Sequence, residues 1–445
     1  MVKRELPPAN LDLTPRLTPY PILTLPNEIT SQIFVHCLPT HGRVRPSRQA
    51  VPLLLAHICR QWRDIALSTW ELWSSLDISS QLVRGKELRA EVAYPGDHSL
   101  MANWLSRAKG HPLSLTVRYH RSPVPSLILS LIPAFSAQLY RLELYFLMAD
   151  CYYLHTVNSS FPRLEVVALE ANVRAAHSVT FLRDAPNLRT LRLLGGLQLS
   201  NVELGSCALL TSLEVHYDVS FTECLEISAR FPRLRELVIS IYGTQPALSQ
   251  PTTIPHLTSL TFRYAGDLPL LTLPHLHRLQ VFHCTRTNVL LSLISRSTCV
   301  LQHLNLRIGE WSADDLLECL QAVPSLVTLA VDINQNNHLV STLFNQSPSM
   351  LPSLAHLTIS TWRFEFDYTP LIMFLESRRT PNIDRGALTS FQLDRCMGIG
   401  DWTWLPRTWQ KSRLQMLIAE GLHLRFGFDG NYWPEESRDE CKSFP

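Results

Sequence analysis

The chain has 445 residues, 46% of them hydrophobic and 18% charged, so it can bury a core in about two to four domains or in one elongated array. Its net charge of +2 gives no strong attraction to nucleic acids or anionic membranes, and neither is expected as a partner. The sequence contains only 16 glycines against 30 prolines, and it has none of the glycine-rich loops that cradle phosphates.

The N-terminal segment, residues 1–21, contains five prolines and is predicted to be a disordered tail. It has no apolar stretch of the kind found in signal peptides. The apolar run SLILSLIPAF is too short to cross a bilayer and is interrupted by Pro133. The ten cysteines form no Cys-x-x-Cys pair, which is typical of reduced thiols in an intracellular protein. We therefore expect a cytoplasmic or nuclear protein.

Two short helical segments follow the tail. The first, LPNEITSQIF, begins at Leu25 and places Ile29, Ile33 and Phe34 at helical spacing. The second, LLLAHICRQWRDIALSTWELWSSLDI, ends at residue 78, and we expect Leu54, Ile58, Trp62 and Ile65 to share one of its faces. So few residues make a poor core by themselves. We therefore expect apolar side chains left over for a partner.

A repeat occupies most of the remaining chain. The pattern Pro-x-Leu-x-x-Leu-x-apolar occurs as FPRLEVVAL, APNLRTLRL, FPRLRELVI, IPHLTSLTF, LPHLHRLQV, VPSLVTLAV and LPSLAHLTI, and further copies lack the proline. The steps between first leucines range from 19 to 34 residues. These leucines are Leu139, Leu164, Leu188, Leu210, Leu234, Leu257, Leu276, Leu301, Leu326, Leu354, Leu388 and Leu414.

Each copy predicts one short strand with one buried face, because its last apolar positions alternate. Helix-like pieces such as FTECLEISARF and DDLLECLQAV lie between the copies. Each unit is therefore predicted to be a helix and a strand, with the strands stacked in parallel and the proline ending each helix. This arrangement resembles the leucine-rich repeat. The predicted fold is thus α/β, an irregular solenoid over residues 112–420 with strands on the concave face and helices on the convex face.

The N-terminal segments also resemble a known motif. The series Leu-Pro-x-Glu-Ile-x-x-x-Ile-Phe, then Ile-Cys-Arg-x-Trp-Arg-x-Ile-Ala, then Leu-Trp-Ser-x-Leu is similar to an F-box over residues 22–78. A helical linker over 79–111, the repeats and a C-terminal tail or cap over 421–445 complete the layout. With the segment ANWLSRAKGHPLSLTV, this layout is most similar to the F-box proteins abundant in mushroom-forming fungi. One departure is the insertion between Pro39 and Pro52, which could change the fit to an adaptor.

The resemblance implies that the F-box docks on the adaptor subunit of a cullin–RING (SCF-type) ubiquitin ligase. Within that interface Trp62 would be an anchor, although it could equally close the small helical core. The residues that match the adaptor-binding positions are Leu25, Pro26, Ile29, Ile33, Phe34, Ile58, Cys59 and Trp62.

The target protein, whose identity the sequence does not give, would bind the outward face of the predicted strands. That face mixes both charges with aromatic residues, which suits a protein or peptide, although it could be an ordinary solvated surface. Arg192, Arg263 and Arg307 would serve if recognition depended on phosphorylation. The predicted target-binding residues are Tyr145, Arg192, His216, Arg263, Phe282, Arg307 and Asp332.

The expected function is therefore substrate recognition within a ubiquitin ligase, without catalysis, cofactor or metal. Neither His-Glu-x-x-His nor Gly-x-Ser-x-Gly occurs. The alternative is a repeat scaffold unrelated to ubiquitin, in which the F-box-like helices only cap the solenoid. In a similar way, the tail piece GDWTWLPRTW is either a cap or a binding edge. Exposure of the apolar residues in LPNEITSQIF would favour docking over capping.

Overall fold

The structure is a computed structural model, and its description is confined to part of the chain. The described residues are 21–39, 43–79, 98–119, 126–150, 157, 159–172, 178–241, 251–265, 271–284, 287–308, 311–333, 343–344, 350–361, 368–379, 387–395, 407–428 and 431–433. The predicted disordered tail lies almost entirely outside them. The chain forms two compact units: unit 1 comprises residues 1–119 with 138–140, and unit 2 comprises 120–137 with 141–445. The first unit therefore extends past residue 111, where the sequence placed the end of the linker.

Unit 1 is mainly helical. Its elements are a 3-10 turn at Pro21–Thr24, α1 at Asn27–His36, α2 at Leu53–Ile58, α3 at Arg60–Ser68, a 3-10 turn at Trp70–Trp73, β1 at Ser75–Ser79, α4 at His98–Ser106 and β2 at Leu113–Arg118. Strands β1 and β2 pair in parallel, with Ser75 opposite Ser114 and Ser79 opposite Arg118.

The core of unit 1 is built around tryptophan. The Trp73 side chain is fully buried, and its Nε1 donates to the carbonyl of Ala66 at 2.7 Å. Trp104 of α4 packs edge-on against Trp73 with 4.8 Å between ring centroids and donates from Nε1 to the carbonyl of Ser75 at 3.1 Å. Helix α4 is thus part of the unit 1 core, because both indoles bury a large apolar area and satisfy their single donor.

The second helical segment is interrupted at Cys59. Its backbone is extended there (φ −151°, ψ 171°), and the residue ends α2 and caps α3. The break changes which side chains share a face. Leu55 and Ile65 are buried, whereas Leu54 and Ile58 are exposed, so the predicted face containing Leu54, Ile58, Trp62 and Ile65 was wrong. The prediction treats the segment as one continuous helix. The extended backbone at Cys59 instead changes the orientation of α3 relative to α2.

Unit 2 contains a long sheet of parallel strands that follow one another in space almost in chain order. The order is β3-β4-β5-β6-β7-β9-β11-β12-β13-β14-β15-β16, with β17 added antiparallel at the end. The strands are β3 Leu139–Asp150, β4 Val166–Asn172, β5 Thr190–Gly195, β6 Ser212–Val219, β7 Glu236–Ile241, β8 Thr252–Thr253, β9 Ser259–Ala265, β10 Leu271–Thr272, β11 Arg278–Cys284, β12 His303–Ile308, β13 Thr328–Ile333, β14 His356–Thr361, β15 Ser390–Arg395, β16 His423–Phe428 and β17 Asn431–Trp433. The short β8 and β10 pair separately. The predicted α/β class with stacked parallel strands is confirmed.

The repeated leucines form the core of this sheet. All twelve first leucines are at most 2% exposed. Within the strands the burial alternates: in β12, Leu304, Leu306 and Ile308 are buried, while His303, Asn305 and Arg307 lie half-exposed between them. This two-residue period is what a strand with one buried face requires.

The proline of the repeat occupies a β-turn before each strand. In the copy at 231, the N–H of Leu234 donates to the carbonyl of Phe231 at 3.0 Å, which places Pro232 at the second position of the turn. Proline favours that position because its fixed φ matches the turn. The proline thus sets the turn, a more specific role than ending a helix. The same hydrogen bond closes the copies at Pro162, Pro186, Pro274, Pro324 and Pro352, and the copy at Ala208.

The connections between strands are less regular than the predicted single helix per unit. Within the described ranges, the helices of unit 2 are α5 Ser126–Ala134, α6 Phe221–Arg230, α7 Thr287–Ser297, α8 Ala313–Gln321, α9 Tyr368–Ser377 and α10 Thr408–Ala419. Between β4 and β6 the connections contain 3-10 turns at Phe181–Asp184 and Leu199–Asn201, and the connections from β7 to β11 contain β8 and β10. The described parts of these connections contain no full α-helix, which suits the shorter repeats, such as the 19-residue step to Leu276.

The last repeat was misplaced from sequence. Leu414 is buried but lies inside α10, and the strand of this repeat is β16, which pairs with β15. The sheet therefore continues past residue 420, into the segment predicted to be a tail or cap. Among the helices of the described ranges, none is long and apolar enough to span a bilayer.

Candidate functional site

Helix α1 of unit 1 carries an exposed apolar surface. Ile29 is 50% exposed and Ile33 is 39% exposed, and the four-residue spacing puts both on the same side of the helix. Pro26, just before the helix, is also exposed, and Leu25 is half-buried. We call Leu25, Pro26, Ile29 and Ile33 the α1 edge. A β-branched apolar side chain that stays half-exposed on a small unit is a candidate for a partner contact.

Helix α2 adds two more exposed aliphatic residues. Ile58 is 54% exposed and Leu54 is 41% exposed. Ile58 was predicted from the motif to bind the adaptor, and its exposure is compatible with that role. Leu54, which is not among the predicted adaptor-binding residues, is therefore an additional candidate contact.

Phe34, Cys59 and Trp62 lie beneath this surface. Phe34 is only 1% exposed, and its ring packs edge-on against Trp62 with 5.0 Å between centroids. Trp62 is half-buried, and its backbone N–H donates to the Cys59 sulfur at 3.5 Å. Phe34 was expected in the exposed apolar edge, but the structure places it in the core. It lies on the helix side opposite to the water-facing isoleucines, and it holds α1 against α3.

The inserted loop of unit 1 is anchored to strand β1. Val44 is buried, and its carbonyl accepts from the N–H of Asp77 at 2.8 Å. The Asp77 carboxylate, itself 1% exposed, accepts from Arg118 at 2.9 Å and from Arg45 at 3.4 Å. The described part of the insertion, residues 43–52, is thus held against β1.

The seven predicted target-binding residues all lie on strands of unit 2. Arg192, His216, Arg263, Arg307 and Asp332 occupy positions that alternate with the buried apolar residues. Tyr145 and Phe282 occupy equivalent positions and are half-buried. The sheet register therefore brings the predicted residues onto one side of the sheet, which we call the polar face.

Glu214 joins three of the predicted residues into one cluster. Its carboxylate accepts from Arg192 at 3.3 Å, from His216 at 2.6 Å and from Arg263 at 3.4 Å. Arg263 also contacts the His216 ring. Because one carboxylate lies among two guanidinium groups and an imidazole, the cluster keeps a net positive charge. A carboxylate or phosphate of a bound peptide would suit it.

A second charged pair lies farther along the polar face. Arg307 donates from Nε to Asp332 at 2.6 Å, in a row that continues through Ser360 to Asp394. Gln392 donates to Asp394 at 2.7 Å. Burial raises the pKa of Asp394, while the Gln392 hydrogen bond and the charge of Arg425 act in the opposite direction. This carboxylate is therefore costly to keep charged in the folded protein.

Two acids of the polar face, Glu143 and Glu214, are not among the predicted target-binding residues. Glu143 is 1% exposed and accepts from Arg141 at 2.9 Å and from the Tyr145 hydroxyl at 3.3 Å. Glu214 plays the same part for the Arg192 cluster. Each acid occupies a strand position that alternates with buried apolar residues. This alternation was the sequence signal that could have identified both acids.

Within the described ranges, no group of three or more histidine, cysteine, aspartate or glutamate side chains could hold a metal ion. The polar clusters contain ion pairs and hydrogen bonds suited to recognition of a charged partner. No protein-family model matches this chain, and no curated protein shows a significant match to it.

Proposed function

We propose that the protein is the substrate-recognition subunit of an SCF-type cullin–RING ubiquitin ligase. In this proposal unit 1 is an F-box that docks on the adaptor subunit, and unit 2 is a leucine-rich-repeat array that binds a target protein. The protein carries out no chemistry itself. It raises the effective concentration of the target near the ubiquitin donor.

The observation that carries the proposal is the exposure of Ile29 and Ile33 on α1. Both residues match the F-box positions of the Leu-Pro-x-Glu-Ile-x-x-x-Ile-Phe pattern, and both are well exposed to solvent. Beneath them the Phe34 and Trp62 rings pack edge-on and hold α1 against α3. A backbone that is already held in place needs less ordering when its exposed aliphatic residues bind, which favours a docking surface.

The polar face of unit 2 supports the second half of the proposal. Its side chains are half-exposed, carry both signs of charge and are already held by their neighbours, as in the Glu214 cluster. Preorganised charges favour specificity toward a partner with complementary charges. The target would therefore present at least one acidic group to Arg192 and Arg263.

The test is co-purification of the full-length chain with a purified adaptor subunit, beside the double variant Ile29→Ser, Ile33→Ser. Removing two apolar contacts from the interface should weaken binding by at least about tenfold. A matched control is Val300→Ser, Met416→Ser, since these residues of unit 2 are 59% and 64% exposed.

Retained binding in the control and loss in the Ile29, Ile33 variant support the proposal. If the folded chain does not bind the adaptor at all, the chain acts outside the ligase. That result would favour the alternative, a repeat scaffold unrelated to ubiquitin, in which the α1 edge does not contact the adaptor. The circular dichroism spectrum of each variant shows that a loss of binding is not a loss of folding.

A further inference from the structure

A groove in unit 2 runs along the β-turns that precede β5 to β11, away from the residues of the polar face. It has a volume of about 680 Å³. Its lining comes from residues on either side of the repeat leucines, such as Arg233 and Arg235 around Leu234. The proline turn fixes these positions, because the turn hydrogen bond and the first pairing of the next strand hold the backbone on both sides.

The groove is lined by basic residues. Its charged and titratable lining residues are Arg189, Arg233, Arg235, His256, His275 and His277, and none of its described lining residues carries a carboxylate. Arg189 pairs with Glu165 at 3.6 Å. Arg233 and Arg235 make no ion pair or side-chain hydrogen bond within the described ranges, and both are exposed. Two guanidinium groups that line one groove and have no ion-pair partner within the described ranges favour an anionic ligand.

We propose that this groove binds an acidic segment of a partner protein in an extended conformation. Arginine pairs with carboxylates through two parallel hydrogen bonds, so Arg233 and Arg235 suit glutamate and aspartate side chains. Pro232, Pro255 and Leu209 add apolar lining between the cations, which accommodates the methylene groups of glutamate.

An acidic peptide fits this lining better than a single-stranded nucleic acid. Proteins that bind single strands without sequence preference combine positive charge with aromatic side chains on which the bases stack. No tryptophan, tyrosine or phenylalanine is present among the described residues that line the groove. The cations would recognise the phosphates, but the rings that line the groove are the small imidazoles of His256, His275 and His277, which offer bases less stacking area than tryptophan, tyrosine or phenylalanine.

The spacing of the strands determines the length of peptide that can span the groove. Arg189 and Arg235 precede β5 and β7, and His277 precedes β11, so these three lining positions are separated by two strands each. Neighbouring strands lie about 4.8 Å apart, so this row spans about 19 Å, or about six extended residues. Acidic-peptide binding by this groove does not depend on whether unit 1 docks on an adaptor.

The experiment measures fluorescence anisotropy of labelled hexaglutamate titrated with the full-length chain. The comparison probes are hexaglutamine, triglutamate and hexauridylate RNA. The test variant is Arg233→Gln, Arg235→Gln. The control variant Lys411→Gln, Arg413→Gln removes the same two charges from α10, outside the groove.

Hexaglutamate should bind, hexaglutamine should not, and triglutamate should bind more weakly because it spans half the row. The Arg233, Arg235 variant should bind hexaglutamate at least about tenfold more weakly, and the control variant should bind as the unchanged chain does. Equal binding by the two variants would reduce the effect to overall charge and overturn the proposal. Failure of hexaglutamate to bind, or tighter binding of the RNA, would overturn it as well.

Discussion

The Phe34 ring lies edge-on against the Trp62 indole, with 5.0 Å between ring centroids, while Ile33, the preceding residue, is 39% exposed. Adjacent residues of one helix thus serve different purposes. Phe34 holds α1 against α3, and Ile33 is available to a partner. The difference leads to opposite expectations for stability and for binding.

The first prediction concerns this pair. Phe34→Ala should lower the free energy of unfolding by about 3–5 kcal/mol, because it leaves a cavity beside Trp62. Ile33→Ala should change it by no more than about 0.5 kcal/mol, since the side chain is on the surface. Urea denaturation followed by tryptophan fluorescence measures both. Equal effects of the two substitutions would show that Phe34 and Ile33 are not divided between core and surface.

The second prediction concerns the cap at Cys59. The sulfur accepts the N–H of Trp62 at 3.5 Å, and a hydroxyl oxygen is the better acceptor at this helix position. Cys59→Ser should therefore leave stability unchanged or raise it, whereas Cys59→Ala should lower the free energy of unfolding by about 1 kcal/mol. Thermal denaturation ranks the two variants. A serine variant less stable than the alanine variant would contradict the capping role.

The third prediction concerns pH. Because burial raises the pKa of Asp394, the folded protein holds this proton more tightly than the unfolded chain does. Its contribution to stability is therefore greatest below the ordinary aspartate pKa of 3.8 and is lost as the pH rises through the raised value. Asp394→Asn should stabilise the protein near neutral pH, and the gain should vanish in acid.

Denaturation midpoints at several pH values measure this difference. Asp218→Asn is the control, since Asp218 is exposed. A stabilisation by Asp394→Asn that does not change with pH would show that the titration of this carboxyl is not its cause.

The fourth prediction concerns the repeat turn that lacks proline. Leu210 donates to the carbonyl of Cys207 at 3.1 Å, as the corresponding leucines do in the proline copies, and Ala208 occupies the proline position. Ala208→Pro should raise the free energy of unfolding by about 0.4–1 kcal/mol, because it restricts the unfolded chain. The matched change Pro324→Ala should lower it by a similar amount. Thermal unfolding of both variants would contradict this account if the two midpoints moved in the same direction.

The sheet was the part of the fold that the sequence predicted best. The repeated leucines specify burial, and the two-residue alternation after each of them specifies a strand, so the strands from β4 to β15, except the short β8 and β10, follow from local pattern alone. The prolines mark the turns before those strands. Repetition makes each weak signal reliable, since the same pattern must fit the same place in every copy.

The sequence predicted the connections between strands less well, and the same is true of the exposed sides of the short helices. The 3-10 turns at Phe181–Asp184 and Leu199–Asn201 have too few residues to show a helical period. The break at Cys59 depends on a single cap and cannot be inferred from the apolar spacing on either side. Leu414 satisfied the repeat pattern, but it lies on the buried side of α10 together with Gln410 and Leu417. Glu214 became part of a cluster only when the register placed Arg192, His216 and Arg263 around it.

The most direct test of the proposed function is isothermal titration calorimetry of the full-length chain with a purified adaptor subunit, repeated at several temperatures. Docking through Ile29 and Ile33 predicts a one-to-one complex with a negative heat-capacity change, because apolar surface is buried. The Ile29→Ser, Ile33→Ser variant should bind more weakly, with a smaller heat-capacity change. Absence of binding by the folded, unchanged chain, or a heat-capacity change that is the same for the variant, would contradict the account.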